Sequence, residues 1–327
     1  MVLYRKLLLA SLLLTLAVVV LGAYVRLSDA GLGCPDWPGC YGEITPHHAA
    51  EEINQAQVMQ PHGPVSHAKA WKEMVHRYFA GTLGLMVLAI FVMAIKFRSQ
   101  TNGSPKLPTL LLGLIVFQAL LGMWTVTELL KPLVVTGHLI GGMSTLALLT
   151  WLWQRESALS LSGMADVRAL RPWGVLALVV VALQIVLGGW VSTNYAALAC
   201  QDFPTCHGEW VPAMEFLPAF TLHRELGLDG SGNLLSLQAL TAIHWTHRVW
   251  ALVVMLVVGV VAIKLFRQRG LCMWGGVLGT LLIAQVGLGV ANIWFSLPLP
   301  VAVAHNAGAA LLLVTLVVIN YRLFRMR

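Results

Sequence analysis

Four histidines stand where lipid would otherwise be the solvent: His76, His138, His247 and His305 each fall about three to seven residues inside a long apolar stretch. An imidazole there is costly, and it is expected to face the interior of a helix bundle for a chemical reason. Neutral imidazoles projecting from facing helices suit the two axial positions of a haem iron. The pairing expected is His76 with His138 and His247 with His305, which makes all four iron ligands. A single such histidine as readily hydrogen-bonds a neighbouring helix; four in two related pairs favour the metal. Zinc fits less well, because a closed site wants three or four converging ligands and each pair offers two.

The residues around these histidines sharpen the chemistry. Glu73 precedes His76 by three positions, so the two project from one helix face about a turn apart. His244 holds the corresponding place before His247. A carboxyl group beside one macrocycle and not the other is the difference expected if one site reacts and the other carries electrons, since it would take a proton or stabilise positive charge. The plainer roles for Glu73 are to favour the helix dipole or to pair with Arg77. Arg77 and Arg248, next to the histidines, suit haem propionates or the snorkelling position of an arginine at a span end. Gly81, Gly84, Gly137, Gly141, Gly142, Ala307 and Gly308 leave room for a flat ligand, or simply for close helix contact.

The elements that must position these groups are spans. With 58% hydrophobic and 11% charged residues in 327, against about a quarter charged in soluble domains, a soluble fold is excluded. Stretches of about 20 apolar residues cross a bilayer, and eight are expected, near 7–25, 74–95, 107–127, 132–153, 173–193, 240–263, 273–293 and 301–321. The class is all-α integral membrane. The apolar run behind Arg5 and Lys6 is read as a retained span and not a cleaved leader, because its end recurs later in the chain.

That recurrence organises the whole sequence. GAYVRLSDAGLGCPDWPGCYGE from Gly22 returns as GGWVSTNYAALACQDFPTCHGE from Gly188, an offset of 166. EMVHR from Glu73 matches HWTHR from His244, Gln118 matches Gln285, and GHLIGG from Gly137 matches AHNAGA from Ala304. Two tandem four-helix units follow: residues 1–154, a cytoplasmic linker 155–172, and 173–327. Four spans is an even number, so both units start from the same side, related by a pseudo-two-fold axis along the membrane normal. The net charge of +7 sits in short turns rather than in a nucleic-acid patch; fourteen of the 21 Lys and Arg residues fall on one side. By the positive-inside tendency, both termini are cytoplasmic and all four histidines lie toward the outer side. The long outer loops, 26–73 and 194–239, include one short surface helix at 49–60.

Those loops carry Cys34 with Cys40 and Cys200 with Cys206, each pair with five residues between. Disulfides persist on that side of a membrane, and a Pro- and Gly-containing loop lets the sulfurs meet, as a structural staple or for redox exchange. Cys272, on the cytoplasmic side, is expected free, and His47, His48, His62, His67, His207 and His223 are expected to be solvated.

EMVHR, GHLIGG, IHWTHR and AHNAG on the four even-numbered spans, with the twin cysteine loops, resemble the haem A synthase family of bacterial and mitochondrial type over essentially the whole chain. The resemblance implies oxidation of the C8 methyl group of haem O to a formyl group by successive hydroxylations. It implies haem O between His76 and His138, a resident haem b on His247 and His305, Glu73 as the functional glutamate, and a disulfide between Cys34 and Cys40. It further implies a bacterial inner membrane location, a membrane electron acceptor and haem O synthase as partners, and homo-oligomers. The alternative is a di-haem electron-transfer cytochrome without substrate chemistry, using all four histidines alike; Glu73 against His244 speaks for the enzyme. A transporter predicts more charge at mid-membrane than the spans contain.

Overall fold

The computed structural model of the chain describes residues 2–99, 104–157 and 167–325. Among these described residues ten α-helices follow one another: α1 (Val2–Leu27), α2 (Ala50–Met59), α3 (His67–Lys96), α4 (Lys106–Thr127), α5 (Pro132–Glu156), α6 (Arg171–Thr193), α7 (Phe216–Ala219), α8 (Leu237–Phe266), α9 (Cys272–Trp294) and α10 (Leu299–Arg325). Eight of them, all but α2 and α7, are long and apolar enough to cross a bilayer. Among the described residues the only β features are isolated bridges in loops. The protein is an all-α, multi-pass membrane protein, as its composition requires.

The expected surface helix is α2; α7 was not foreseen, being four residues long. The histidine-bearing helices α3 and α8 start earlier than the apolar runs at 74 and 240. Their caps set the start: the side chain of Ser66 accepts the Lys69 amide at 3.3 Å and that of Ser236 accepts the Ala239 amide at 3.1 Å. In α3 the added turns carry His67, Lys69 and Lys72, so the helix continues above the segment a hydrophobic pattern can mark. The expected linker 155–172 is shorter than read, since α5 runs to Glu156 and α6 opens at Arg171. Residues 158–166, including Asp166, and the terminal Arg327 lie outside the described residues.

Each spanning helix is apolar nearly all round, so burial and not polarity distinguishes its faces. Leu8, Leu146, Leu149, Leu265 and Leu316 are fully buried, while Leu13, Leu85, Leu256 and Ile283 are well exposed on the rim, where lipid is their solvent. Helix α1 packs on α3 and α5, and α4 on α3 and α5; α6 packs on α8 and α10, and α9 on α8 and α10. The two sets meet through α1 with α10, α5 with α6, and α5 with α10. At one end of this seam Arg26 donates to the Ser192 carbonyl at 2.7 Å, the Tyr195 hydroxyl donates to Asp29 at 2.8 Å, and the Arg26 guanidinium lies 4.0 Å from the Tyr195 ring centre. The Thr136 and Thr193 hydroxyls meet at 3.1 Å.

The α1–α3 loop docks on the start of α3 through Gly33, where an added Cβ would stand 2.6 Å from the Lys69 carbonyl carbon. Backbone cannot yield as a side chain would. Gly33→Ala is expected to destabilise the protein by about 1–3 kcal/mol, as overpacking does, and thermal unfolding in detergent will show a lowered midpoint.

Candidate functional site

All four span histidines are seated in one way. A Cβ added to Gly22 on α1 would lie 3.1 Å from Cε1 of His76 on α3, and one on Gly122 of α4 would lie 3.4 Å from Cε1 of His138 on α5. The same relation joins Gly188 on α6 to His247 on α8 at 3.1 Å, and Gly289 on α9 to His305 on α10 at 3.2 Å. Each imidazole edge thus rests on a bare Cα of the preceding span, and any side chain there would displace the ring. His76 lies within electrostatic range of His138, and His247 of His305. The structure therefore brings the expected partners together, two by two.

A glutamine one turn before three of these glycines reaches the facing histidine. With its amide oriented so that both ends are satisfied, Gln118 donates to the His138 carbonyl at 3.1 Å and to its Nδ1 at 2.9 Å, while its oxygen accepts the Gly142 amide at 3.2 Å. Gln184 donates to the His247 carbonyl at 3.1 Å and stands 3.2 Å from its Nδ1. Gln285 donates to the His305 carbonyl at 2.9 Å and stands 3.4 Å from its Nε2. The Nδ1 of His76 is buried without a partner.

Glu73 sits above this layer and faces the α1–α3 loop. Its carboxylate accepts the Cys34 amide at 3.0 Å and pairs with Arg77 at 2.5 Å, with both side chains nearly enclosed. Arg77 in turn donates to the carbonyls of Asp36, Pro38 and Gly39. In the second half His244 does the same work: its Nδ1 faces the Cys200 amide at 3.3 Å and its Nε2 faces Arg248 at 3.2 Å. Arg248 holds the carbonyls of Cys200, Asp202 and Thr205. A neutral imidazole has a single acceptor nitrogen, so His244 satisfies one of its two donors where the carboxylate satisfies both. The two arginines are committed to the loops, their donors divided between loop carbonyls and the helix partner, Glu73 or His244.

The clamped loops close on themselves. Cys34–Cys40 and Cys200–Cys206 are both disulfides, with Cα–Cα distances of 4.9 Å. Each loop ends in a two-residue turn with both residues at positive φ, Tyr41–Gly42 and His207–Gly208, the arrangement that matches strand twist in tight hairpins. Asp36 accepts the Tyr41 and Gly42 amides, and Asp202 accepts those of His207 and Gly208. The Thr205 hydroxyl and these amides hold the Asp202 carboxyl well below the usual carboxylate range. Cys272 is a free, exposed thiol, as expected. Among the described residues no group of three or more potential metal ligands converges, which leaves the histidine pairs as the metal-binding candidates.

Of the small residues singled out earlier, Gly141 and Gly308 abut the side chains of Gln118 and Gln285, and Gly137 and Gly142 face Leu121 and Val19. Gly81 and Gly84 have open space in front of them. The seats themselves were missed. Their signal is in the sequence: QALLG at 118–122, QIVLG at 184–188 and QVGLG at 285–289 place an amide and a bare Cα on one helix face, and VVVLG at 18–22 is the fourth member.

A family model described as COX15-CtaA, cytochrome oxidase assembly protein, matches residues 5–317. A Shewanella oneidensis protein named Heme A synthase is 44% identical over 315 residues, covering 96% of this chain and 94% of its own. Proteins of the same name from Rhizorhabdus wittichii and Paracoccus denitrificans are 28% and 29% identical, covering 93% and 90% of this chain and 89% and 81% of their own.

The clamp has a measurable signature. Removing one partner of a buried ion pair costs about 3–5 kcal/mol, so Glu73→Ala should lower thermal stability sharply. Glu73→Gln keeps an acceptor for Cys34 and should lose less. Equal losses in the two variants would show that the Cys34 contact contributes little.

Proposed function

The chain belongs to the COX15-CtaA family of cytochrome oxidase assembly proteins, and we propose that it is a haem A synthase whose first four-helix unit oxidises haem O and whose second holds a haem b. One observation carries this reading: the relative named Heme A synthase matches over 96% of the chain, a stretch that takes in both histidine pairs. The oxidation proposed is that of the C8 methyl group of haem O to a formyl group by successive hydroxylations.

His76 and His138 would hold the substrate and His247 and His305 the haem b, which when bound supplies one-electron redox chemistry. The residues of the chain bind, orient and shield. Each imidazole lies edge-on against its seat glycine, which limits the directions in which the rings can present their nitrogens. The open face at Gly81 and Gly84 admits a lipid-soluble, farnesylated macrocycle from between the helices. The disulfide loop, pinned by Glu73 and Arg77, caps this layer. Glu73 is the acid–base group, taking up a proton at its carboxylate as the methyl group is oxidised, with Arg77 as counter-ion.

The tandem arrangement belongs to the same proposal. Arg26 touches Ser192 and Asp29 touches Tyr195, and each pair is separated by the repeat offset of 166. A residue meets its own counterpart only beside a two-fold axis, which supports units at 1–154 and 173–327 related about the membrane normal. Lys and Arg bias supports cytoplasmic termini in a bacterial inner membrane, with electrons leaving to a membrane acceptor and haem O arriving from its synthase.

Expression with a source of haem O, followed by chromatography and mass analysis of extracted haems, tests the activity. The parent should yield hydroxylated and formyl haem, and Glu73→Gln, assayed as folded protein, should yield about 100-fold less or lower still, the scale of a lost acid–base group. Absence of oxidised haem from the parent would reduce the chain to an electron-transfer cytochrome.

A further inference from the structure

The imidazole seats are not alike, and the exception falls on one histidine. At the position one turn before the seat glycine, α4, α6 and α9 carry Gln118, Gln184 and Gln285, and each holds the carbonyl of its histidine. In α1 that position is Val18, four residues before Gly22, as Gln184 is four before Gly188. The Nδ1 of His76 is buried with nothing to bond, as is that of His305, but His305 still has Gln285 3.4 Å from its other ring nitrogen, and no glutamine of α1 stands beside His76.

A metal-bound histidine normally passes its other ring N–H to an acceptor, which fixes the ring and raises its basicity; losing that acceptor costs about 10–100-fold in metal affinity. The amide oxygens of Gln184 and Gln285 are both buried and unpartnered. A turn of the amide that gives up its bond to the histidine carbonyl offers such an oxygen to the imidazole N–H once the other nitrogen is engaged. His76 has no such support from α1, because a valine can neither donate nor accept.

We propose that Gln184 makes the second histidine pair retentive, and that Val18 in the matching place leaves His76 the ligand that lets go, so that one haem stays and the other is exchanged. The inference rests on the reading of the four histidines as axial ligands. Gln184 is a positioning residue acting through His247. An enzyme whose substrate and product are both haems needs one site that opens each cycle and another that does not, and a single amide on otherwise equivalent seats provides the difference.

The experiment uses the full-length protein purified in detergent, with haem transfer to excess apomyoglobin followed by absorbance and the haem types identified by extraction. In Gln184→Val, release of haem b should quicken by about 10–100-fold and the low-spin bis-histidine spectrum should broaden. Gln184→Glu, which still accepts the ring N–H, should retain haem b like the parent and lower its midpoint potential. Val18→Gln should slow release of the O- or A-type haem by a similar factor while haem b release stays unchanged. Parental release rates in both Gln184→Val and Val18→Gln would overturn the proposal. Size-exclusion profiles and circular dichroism matching the parent identify folded variants, and Gln184→Glu and Val18→Gln keep the test open where Gln184→Val does not fold. His247→Ala separates the underlying reading: a bis-histidine haem b spectrum surviving in it removes the ligand assignment itself, whereas its loss beside a parental Gln184→Val removes only the role of Gln184.

Discussion

An imidazole several residues deep in an apolar helix must be given a partner and a place, and the bundle is arranged around meeting that need four times. The place is a glycine on the preceding span, close enough that the ring edge touches backbone. The partner, in three cases, is a glutamine one turn away on the same face. Because hydrocarbon offers no water to satisfy a polar group, neither device can be supplied by solvent. Helix spacing is set by these contacts: α1 and α3, α4 and α5, α6 and α8, and α9 and α10 approach at the glycine, and the leucine-rich faces fill the rest.

Above this layer a second constraint governs the loops. A chain leaving the membrane must satisfy its backbone groups while staying over the site, and one arginine per unit does this by gathering loop carbonyls. The arginine needs a partner of its own on the helix. Glu73 gives it a charge and also accepts the Cys34 amide; His244 gives Arg248 a weaker acceptor, and Arg248 compensates by reaching the Cys200 carbonyl at 2.7 Å. The same scaffold thus tolerates a carboxylate or an imidazole at this point, and only the carboxylate brings a negative charge.

Much of this was legible in the sequence because it is written as pattern. Apolar length gives the eight spans, self-similarity gives the repeat, and the twin cysteines lie within the repeated segment. What escaped does so for physical reasons. Comparing copies finds what they share, so Gln118 and Gln285 stand out while Gln184 is hidden opposite Val18. Glycines in a membrane helix are too common to mark a seat until the facing ring is known. The partnership of Glu73 with Cys34 spans 39 positions and a loop, and no local spacing encodes it. The helix starts at His67 and Leu237 depend on serine caps, which a hydrophobic pattern passes over.

The differences between the units are separated in space and in what they can affect. Glu73 against His244 lies at the loop clamp, toward the outer end of the even spans by the charge bias, and changes proton chemistry without touching the seat. Val18 against Gln184 lies in the odd spans, one turn before the seat glycine, and on the reading proposed changes how firmly a ring is held without adding charge. A duplicated bundle lets such changes accumulate independently, because each seat is built from one pair of helices and each clamp from one loop. On the reading proposed, oxidation of one haem beside retention of another asks for no new fold, only for Glu73 where the second half has His244 and Val18 where it has Gln184.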